Sequence, residues 1–240
     1  MGLRAAIFGA TGGIGGAIVA QLAESDRYSQ IHAGGRSLPS AVHSATIPFI
    51  FDLTDETSIA QAARSIGEAG PLDLVVIATG ILHDHSSLAP EKSWRALDGA
   101  AMAKVFAINT IGPALIAKHM LPLMRRDERA VFAGLSAKVG SIADNRLGGW
   151  HSYRASKAAL NMLLRNFAIE LTTKNPLGIV VAIHPGTVDT ALSRPFQRGV
   201  PHDRLCDPAR SARAILTVLD GLSPRDSGGL FGWSGERIAF

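Results

Sequence analysis

Tyr153 and Lys157 stand four residues apart in Tyr153-Arg154-Ala155-Ser156-Lys157. On a helix that spacing puts both side chains on one face. A phenol is a poor acid–base group at neutral pH, because its reference pKa is near 10. A neighbouring ammonium favours the phenolate. At about 4 Å and an effective dielectric of about 20, the attraction is about 4 kcal/mol. At about 1.4 kcal/mol for each tenfold change in proton affinity, that would lower the phenol pKa by up to about three. A pair so placed can serve as a general acid or base. The chain has only two tyrosines, which makes an accidental pairing less frequent. An ordinary lysine at a helix start would show the same spacing.

A second group of residues suits phosphate rather than protons. Gly9-Ala10-Thr11-Gly12-Gly13-Ile14-Gly15 lies between an apolar run and an amphipathic one. Gly9 allows a tight turn, Gly13 lets backbone approach a pyrophosphate, and Gly15 lets the helix pack close to the strand. Thr11, Gly12 and Ile14 lie in the same turn, where the N–H groups of a helix start face an anion. With no ligand, the same residues would make only a glycine-rich loop.

The second strand ends at Ala33-Gly34-Gly35-Arg36. An acidic residue is usual there, bonded to the adenosine 2′-hydroxyl of NAD. A guanidinium instead suits a 2′-phosphate, which it can grip with two parallel hydrogen bonds. Arg36 therefore points to NADP(H), with NAD(H) less favoured and a plain surface arginine as the bland alternative. Asp52, with Leu53 beside it, follows the third strand. Its carboxylate could accept from the adenine amino group, begin a turn, or cap the next helix.

Other reactive residue types give less. His83, Asp84 and His85 share a loop, but no further ligand group with zinc-type spacing accompanies them, so no metal is expected. Cys206 is the only cysteine, which excludes an internal disulfide and a cysteine metal cluster. A reducing, cytoplasmic setting fits. The formal net charge of +4 is spread without a basic stripe interleaved with aromatics, so no nucleic-acid partner is expected.

These residues must be held by a scaffold, and the patterning supplies one. Leu3 to Gly9 reads as a strand and Gly13 to Glu24 as a helix. Strands follow at Ile31 to Gly34 and Ile47 to Phe51, then a helix over Thr57 to Glu68. Leu72 to Ala78 is a nearly unbroken apolar strand, as expected where helices cover both faces of a parallel sheet. A long helical stretch covers about Ala100 to Met124, then a strand Ala130 to Leu135 and a helix Ser152 to Thr173. Ile179 to Ile183, Pro208 to Leu219 and Gly229 to Phe231 read as strand, helix and short last strand. The alternation predicts one α/β domain over residues 1–240, a Rossmann-type doubly wound parallel sheet with helices on both faces. Such sheets bind ligands beyond the carboxyl ends of their strands. No run is expected to cross a membrane. The first apolar run carries glycines that a secretion signal does not need, and Ala6 stands where a myristoylation motif wants Ser or Thr.

Gly9 to Gly15, Asn109 in Ala107-Ile108-Asn109-Thr110, Tyr153 to Lys157 and His184-Pro185-Gly186-Thr187 occur in an order that resembles the short-chain dehydrogenase/reductase family. Ser136-Ala137-Lys138-Val139-Gly140-Ser141-Ile142 with Asn145 and Gly148-Gly149-Trp150 resembles the branch of C-factor and the sniffer-type carbonyl reductases. The resemblance covers nearly the whole chain. It implies that Tyr153 exchanges a proton with the substrate oxygen, that Lys157 holds the nicotinamide ribose and lowers the tyrosine pKa, and that Asn109 keeps a water in a proton relay. Pro185, Gly186 and Thr187 would line the nicotinamide side, with Val188 and Thr190 near the carboxamide or phosphates. Ala78-Thr79-Gly80 stands in place of the family's Asn-Ala-Gly beside the cofactor.

A serine of the family orients the substrate carbonyl, yet its usual position holds Ala137. Ser136, one residue early, is favoured slightly over Ser141. Trp150 and the loop from Phe196 to Cys206 are expected to border the substrate. The expected activity is hydride transfer between NADP(H) and a small carbonyl or alcohol substrate. A nucleotide-binding signalling or regulatory protein with little catalysis is the alternative. The resemblance also implies a homodimer or homotetramer through the helices near 100–124 and 152–173.

Overall fold

The computed structural model describes residues 2–38, 43–84, 88–199, 201 and 205–240. Strand β1 (Leu3–Phe8) is buried along nearly its whole length, because helices cover it on both sides. Its side chains alternate between two cores. Ala6 and Phe8 face Phe51, Ile59, Ile116, Met120, Phe132 and Leu164. Ala5 and Ile7 face Ile18, Leu22, Ile31, Val76, Ile215 and Leu219. The first layer is closed by α2 (Glu56–Glu68), α4 (Gly112–Met120) and α5 (His151–Thr172), the second by α1 (Gly13–Glu24) and α6 (Pro208–Gly221).

The remaining strands are β2 (Tyr28–Gly35), β3 (Thr46–Ile50), β4 (Leu74–Ile77), β5 (Ala130–Leu135), β6 (Gly178–His184), β7 (Thr187–Val188), β8 (Leu205–Cys206), β9 (Leu230–Gly232) and β10 (Arg237–Ile238). Eight of them form one sheet in the order β10-β9-β6-β5-β4-β1-β2-β3, and β7 pairs with β8 separately. All pairings in the large sheet are parallel except β9 with β10. The doubly wound α/β fold is therefore as expected. The chain runs from β1 outward through β2 to β3 and then crosses back to β4 on the other side of β1, and this reversal opens a crevice at the strands' carboxyl ends.

Several boundaries differ from the sequence reading. β2 begins three residues earlier, at Tyr28, and β10 and the β7–β8 pair were not foreseen. The stretch expected as one helix over 100–124 is α3 (Gly99–Phe106), a π turn (Ala107–Ile111) and α4, ending in a 3₁₀ turn. By length and composition the run Gly99–Leu123 is also apolar enough to cross a membrane, contrary to expectation. Here it packs against α2 and α5, and Lys118 and His119 bond Glu56 of α2.

The amino ends of the central strands are pinned by Asp73. Its carboxylate accepts from the Arg4 amide (2.8 Å) and from Arg125 Nε (2.6 Å). Its side chain is 5% exposed and that of Arg125 is 21% exposed. The Arg4 guanidinium in turn donates to the Ile66 and Gly70 carbonyls. Removing one member of such a pair strands the others without water. Asp73→Ala should lower unfolding stability by about 3 kcal/mol. The check is a fall in the urea midpoint with an unchanged slope.

Candidate active site

The glycine turn leads from β1 into α1 at the switch point. Gly9 has φ +96°, and a Cβ there would come 2.9 Å from the Ala78 carbonyl carbon. A Cβ on Gly15 would overlap the Gly9 carbonyl oxygen. The turn is fastened to β2 by the Gly9 and Ala10 amides, which both donate to the Gly34 carbonyl at 2.9 and 2.8 Å. Gly12, the N-cap of α1, gives no side-chain cap, and the first turn holds no acid. The positive end of the helix dipole therefore has no carboxylate of its own in that turn. Thr79 Oγ1, beside the turn, is buried without a hydrogen-bond partner. Tight backbone, an uncapped helix start and an orphaned hydroxyl fit a pyrophosphate-bearing cofactor. Thr11 touches Gly35, and Gly13 abuts Thr190, so Arg36 and the segment after β6 flank this cradle.

Asp52 begins a turn. Its Oδ1 accepts from the amide (2.8 Å) and hydroxyl (2.7 Å) of Thr54. Those bonds, with some help from Arg36, hold its carboxyl below the usual range. The cap of α2 is Asp55, not Asp52. Leu53 is buried and would collide with any Cβ on Gly112. Its side chain is thus committed to α4 packing.

Tyr153 and Lys157 do share the buried face of α5, with 8% and 3% exposure. Lys157 Nζ donates to the Leu135 carbonyl at 2.8 Å and lies 5.9 Å from the centre of the Tyr153 ring. Burial pushes the phenol up to about 12 and the ammonium down to about 8. The expected lowering of the tyrosine by its lysine is therefore reversed in the free protein. Loss of water disfavours phenolate and ammonium alike.

The π turn explains Asn109. Its Oδ1 accepts from the Ile81 amide and its Nδ2 donates to the Ile81 carbonyl, both at 2.8 Å. Nδ2 also donates to Ser156 Oγ at 3.1 Å, and Ser156 Oγ donates to the Tyr153 carbonyl at 2.8 Å. The side chain thus ties the segment after β4 to the helix that carries Tyr153.

Ser136 also requires correction. Its hydroxyl donates to Asn161 Oδ1 at 2.6 Å inside the protein. Successive residues of an extended segment point opposite ways, so Ala137, with φ −152° and ψ 145°, is the residue that packs against Tyr153 and Leu82. Ser141 Oγ accepts from the Asp144 amide at 3.0 Å. A methyl group stands beside the phenol where a hydroxyl was expected.

The rest of the wall is apolar. Val139, Trp150, Leu192 and Phe196 pack on this group. The Trp150 ring lies 6.3 Å from Tyr153 and 5.2 Å from Phe196, and His83 stacks edgewise on Phe196 at 5.5 Å. Trp150 and Phe196 border the site as expected, whereas Leu82, Val139 and Leu192 were missed. Their only signal was apolarity, which core residues share. His83 Nε2 lies 3.1 Å from the Ala191 carbonyl oxygen. His85 and residues 200 and 202–204 of the Phe196–Cys206 loop fall outside the described residues. Among the described residues no group of three His, Cys, Asp or Glu is placed to hold a metal. Pro185 receives Ser211 Oγ at its carbonyl (2.9 Å), Gly186 turns at φ +82° against Trp233, and Thr187 and Val188 form β7. Ala78 extends β4 by donating to the Phe8 carbonyl at 2.7 Å, and Gly80 faces Asn109 and Lys157.

Known proteins resemble this chain in sequence and fold to different degrees. The sequence model of the short chain dehydrogenases matches residues 4–200. C-signal of Myxococcus xanthus is 36% identical over 173 residues, covering 70% of this chain and 93% of that protein. The NADPH-bound carbonyl reductase from chicken fatty liver superposes with a TM-score of 0.85 at 27% identity, over 100% of this chain and 94% of that one. The carbonyl reductase Sniffer of D. melanogaster has the same fold, with a TM-score of 0.85 at 22% identity over 100% of both chains.

The buried ammonium makes a prediction about stability. Its folded-state value of about 8 lies below the ordinary 10.5. Below pH 8 both states hold the proton, and the charge costs the folded state about 3 kcal/mol. Between pH 8 and 10.5 the unfolded state binds more protons, so this cost fades as pH rises. Lys157→Met leaves the Leu135 carbonyl without its donor, at about 1 kcal/mol. The variant should therefore be more stable than the wild type by about 2 kcal/mol at pH 7, with the gap narrowing by pH 9.5. Denaturant midpoints at the two pH values are the measurement.

Proposed function

Because the chain belongs to the short-chain dehydrogenase family, beside C-signal and the Sniffer-type carbonyl reductases, we propose that it is an oxidoreductase moving a hydride between NADP(H) and a carbonyl or alcohol carbon. The observation that carries this reading is the buried Tyr153–Lys157 pair between a phosphate cradle and an aromatic wall. The bound dinucleotide supplies or takes up the hydride.

The chain's own residues do the rest. The Gly9–Gly15 backbone holds the pyrophosphate, Arg36 the 2′-phosphate, and the Pro185–Thr190 segment the nicotinamide end. Tyr153 is a neutral phenol throughout the working range, since burial holds its proton. In the reducing direction its Oη donates that proton to the substrate oxygen. Lys157, charged at neutral pH, stabilises the phenolate left behind. Trp150, Phe196, Leu82 and Leu192 exclude water and favour a substrate with an apolar face beside its carbonyl. The exposed apolar side chains Ile111, Met162 and Ile169 on the π turn and α5 support self-association as a dimer or tetramer.

One observation favours a second reading, a dinucleotide-binding regulator with little turnover. It is the methyl of Ala137 where a carbonyl-orienting hydroxyl is expected. A panel of reactive carbonyls with NADPH separates the two. Turnover of any member supports the enzyme, and binding without turnover across the panel supports the regulator.

Two variants test the roles. Tyr153→Phe should keep NADPH affinity within about twofold while turnover drops about 100-fold or more. Turnover equal to wild type would remove Tyr153 as the acid. Arg36→Asp should weaken NADPH binding about 10- to 100-fold, the worth of a charged hydrogen-bonded contact, and change NADH binding little. Titration of both cofactors reads this directly, and equal losses would abolish the 2′-phosphate site.

A further inference from the structure

The start of α5, two residues before Tyr153, is not held by its own N-cap. That residue, Trp150, gives no side-chain cap, and the first turn contains no acid. The backbone entering the helix is left-handed at three successive positions, with φ of 61° at Gly148, 64° at Gly149 and 51° at Trp150. For a tryptophan that conformation costs about 1–3 kcal/mol and persists only where neighbours impose it.

The neighbour is Glu91, from the segment between β4 and α3. Its carbonyl accepts from the Trp150 amide at 2.5 Å. Its carboxylate accepts from the Ser152 amide at 3.2 Å and forms a further hydrogen bond with the Ser152 hydroxyl. It is 8% exposed, so few other partners compete. Burial alone would raise this carboxyl, but the Ser152 bonds and nearby His151 outweigh it and hold it below the usual range. A carboxylate at this point also faces the positive end of the α5 dipole. The same segment begins at Ile81, which Asn109 clamps, and supplies Leu82 and His83 to the apolar wall.

We infer that Glu91 is a positioning residue: acting through Ser152, it caps the catalytic helix from outside and locks Tyr153 to the segment that walls the substrate. This rests on the oxidoreductase reading for its kinetic consequence, but the clamp is independent of that reading. A displacement of about 1 Å at the proton donor can cost about 100-fold in rate. The effect belongs to kcat, since Glu91 does not line the cofactor cradle.

The experiment is a double-mutant cycle of Glu91→Ala and Ser152→Ala, with Glu91→Gln as the isosteric variant that keeps one acceptor. Each is assayed with a carbonyl substrate and NADPH, alongside amide hydrogen exchange of the segment 150–156. Glu91→Ala should lower kcat about 10- to 100-fold, with the KM for the carbonyl and the NADPH affinity changed by less than about threefold. Glu91→Gln should recover part of the loss, and the double variant should be no slower than Glu91→Ala within about twofold. Losses in kcat that multiply between the two sites, or a Glu91→Ala kcat within about twofold of wild type, would overturn the proposal. If the wild type reduces no carbonyl, the oxidoreductase reading fails instead, and exchange decides the clamp. Faster exchange in 150–156 alone for Glu91→Gln supports it. Unchanged exchange, or a rise spread over the whole chain, refutes it.

Discussion

Lys157 is nearly withdrawn from water, and its ammonium donates to the carbonyl of Leu135 at the end of β5. Placing a charge there opposes folding, and two apolar layers offset it. Each fully buried Ile, Leu or Phe contributes about 1.5–3 kcal/mol, and both layers hold many. The same burial that costs stability sets the protonation of the pair. It keeps Tyr153 protonated and leaves the lysine close enough to neutrality to respond to whatever binds beside it. The core is therefore sized to tolerate an ionisable pair that would be easier to leave in solvent.

The helix that carries the pair is positioned by side chains from elsewhere. Asn109 and Thr110, in the π turn, bond Ser156. Arg154 reaches back to the Gly149 and Val139 carbonyls, and Glu91 meets Ser152. These ties converge on two turns of α5 and come from three separate parts of the chain. A helix start fixed in this way keeps its geometry without a local cap, but depends on every incoming segment being in register. The Asp73 network at the opposite end of the sheet serves the same need, because it pins β1 and β4, whose far ends carry Gly9 and Gly80.

The fold was legible because a parallel sheet covered on both faces must be apolar at nearly every strand position. β1, β4 and β6 meet that requirement and were read nearly as they stand. The two-residue strands β7, β8 and β10 have no periodicity to read, since pairing creates them. The break at Ala107–Ile111 was invisible for a related reason: one extra residue in a turn barely disturbs an apolar pattern, and what holds it is Ile81, far back in the chain. Asp52 and Leu53 were picked out by position after β3, whereas the partners of their side chains, Thr54 and Gly112, are visible only in the fold.

A glycine spacing or a Tyr–Lys pair four residues apart describes chain geometry within one or two turns, so the residue types suffice to read it. Gly9 to Gly15 and the shared face of Tyr153 and Lys157 belong to that class. The direction in which that pair is pushed does not. Desolvation is a sum over neighbours distant in sequence, and it reversed the expected effect on the phenol. Ser136 and Ala137 likewise differ by one step along an extended segment, and the placement of β5 against α5 turned the hydroxyl to Asn161 and the methyl to Tyr153. The shared face of Tyr153 and Lys157 was written in local spacing; the pair's protonation and its surroundings came from packing.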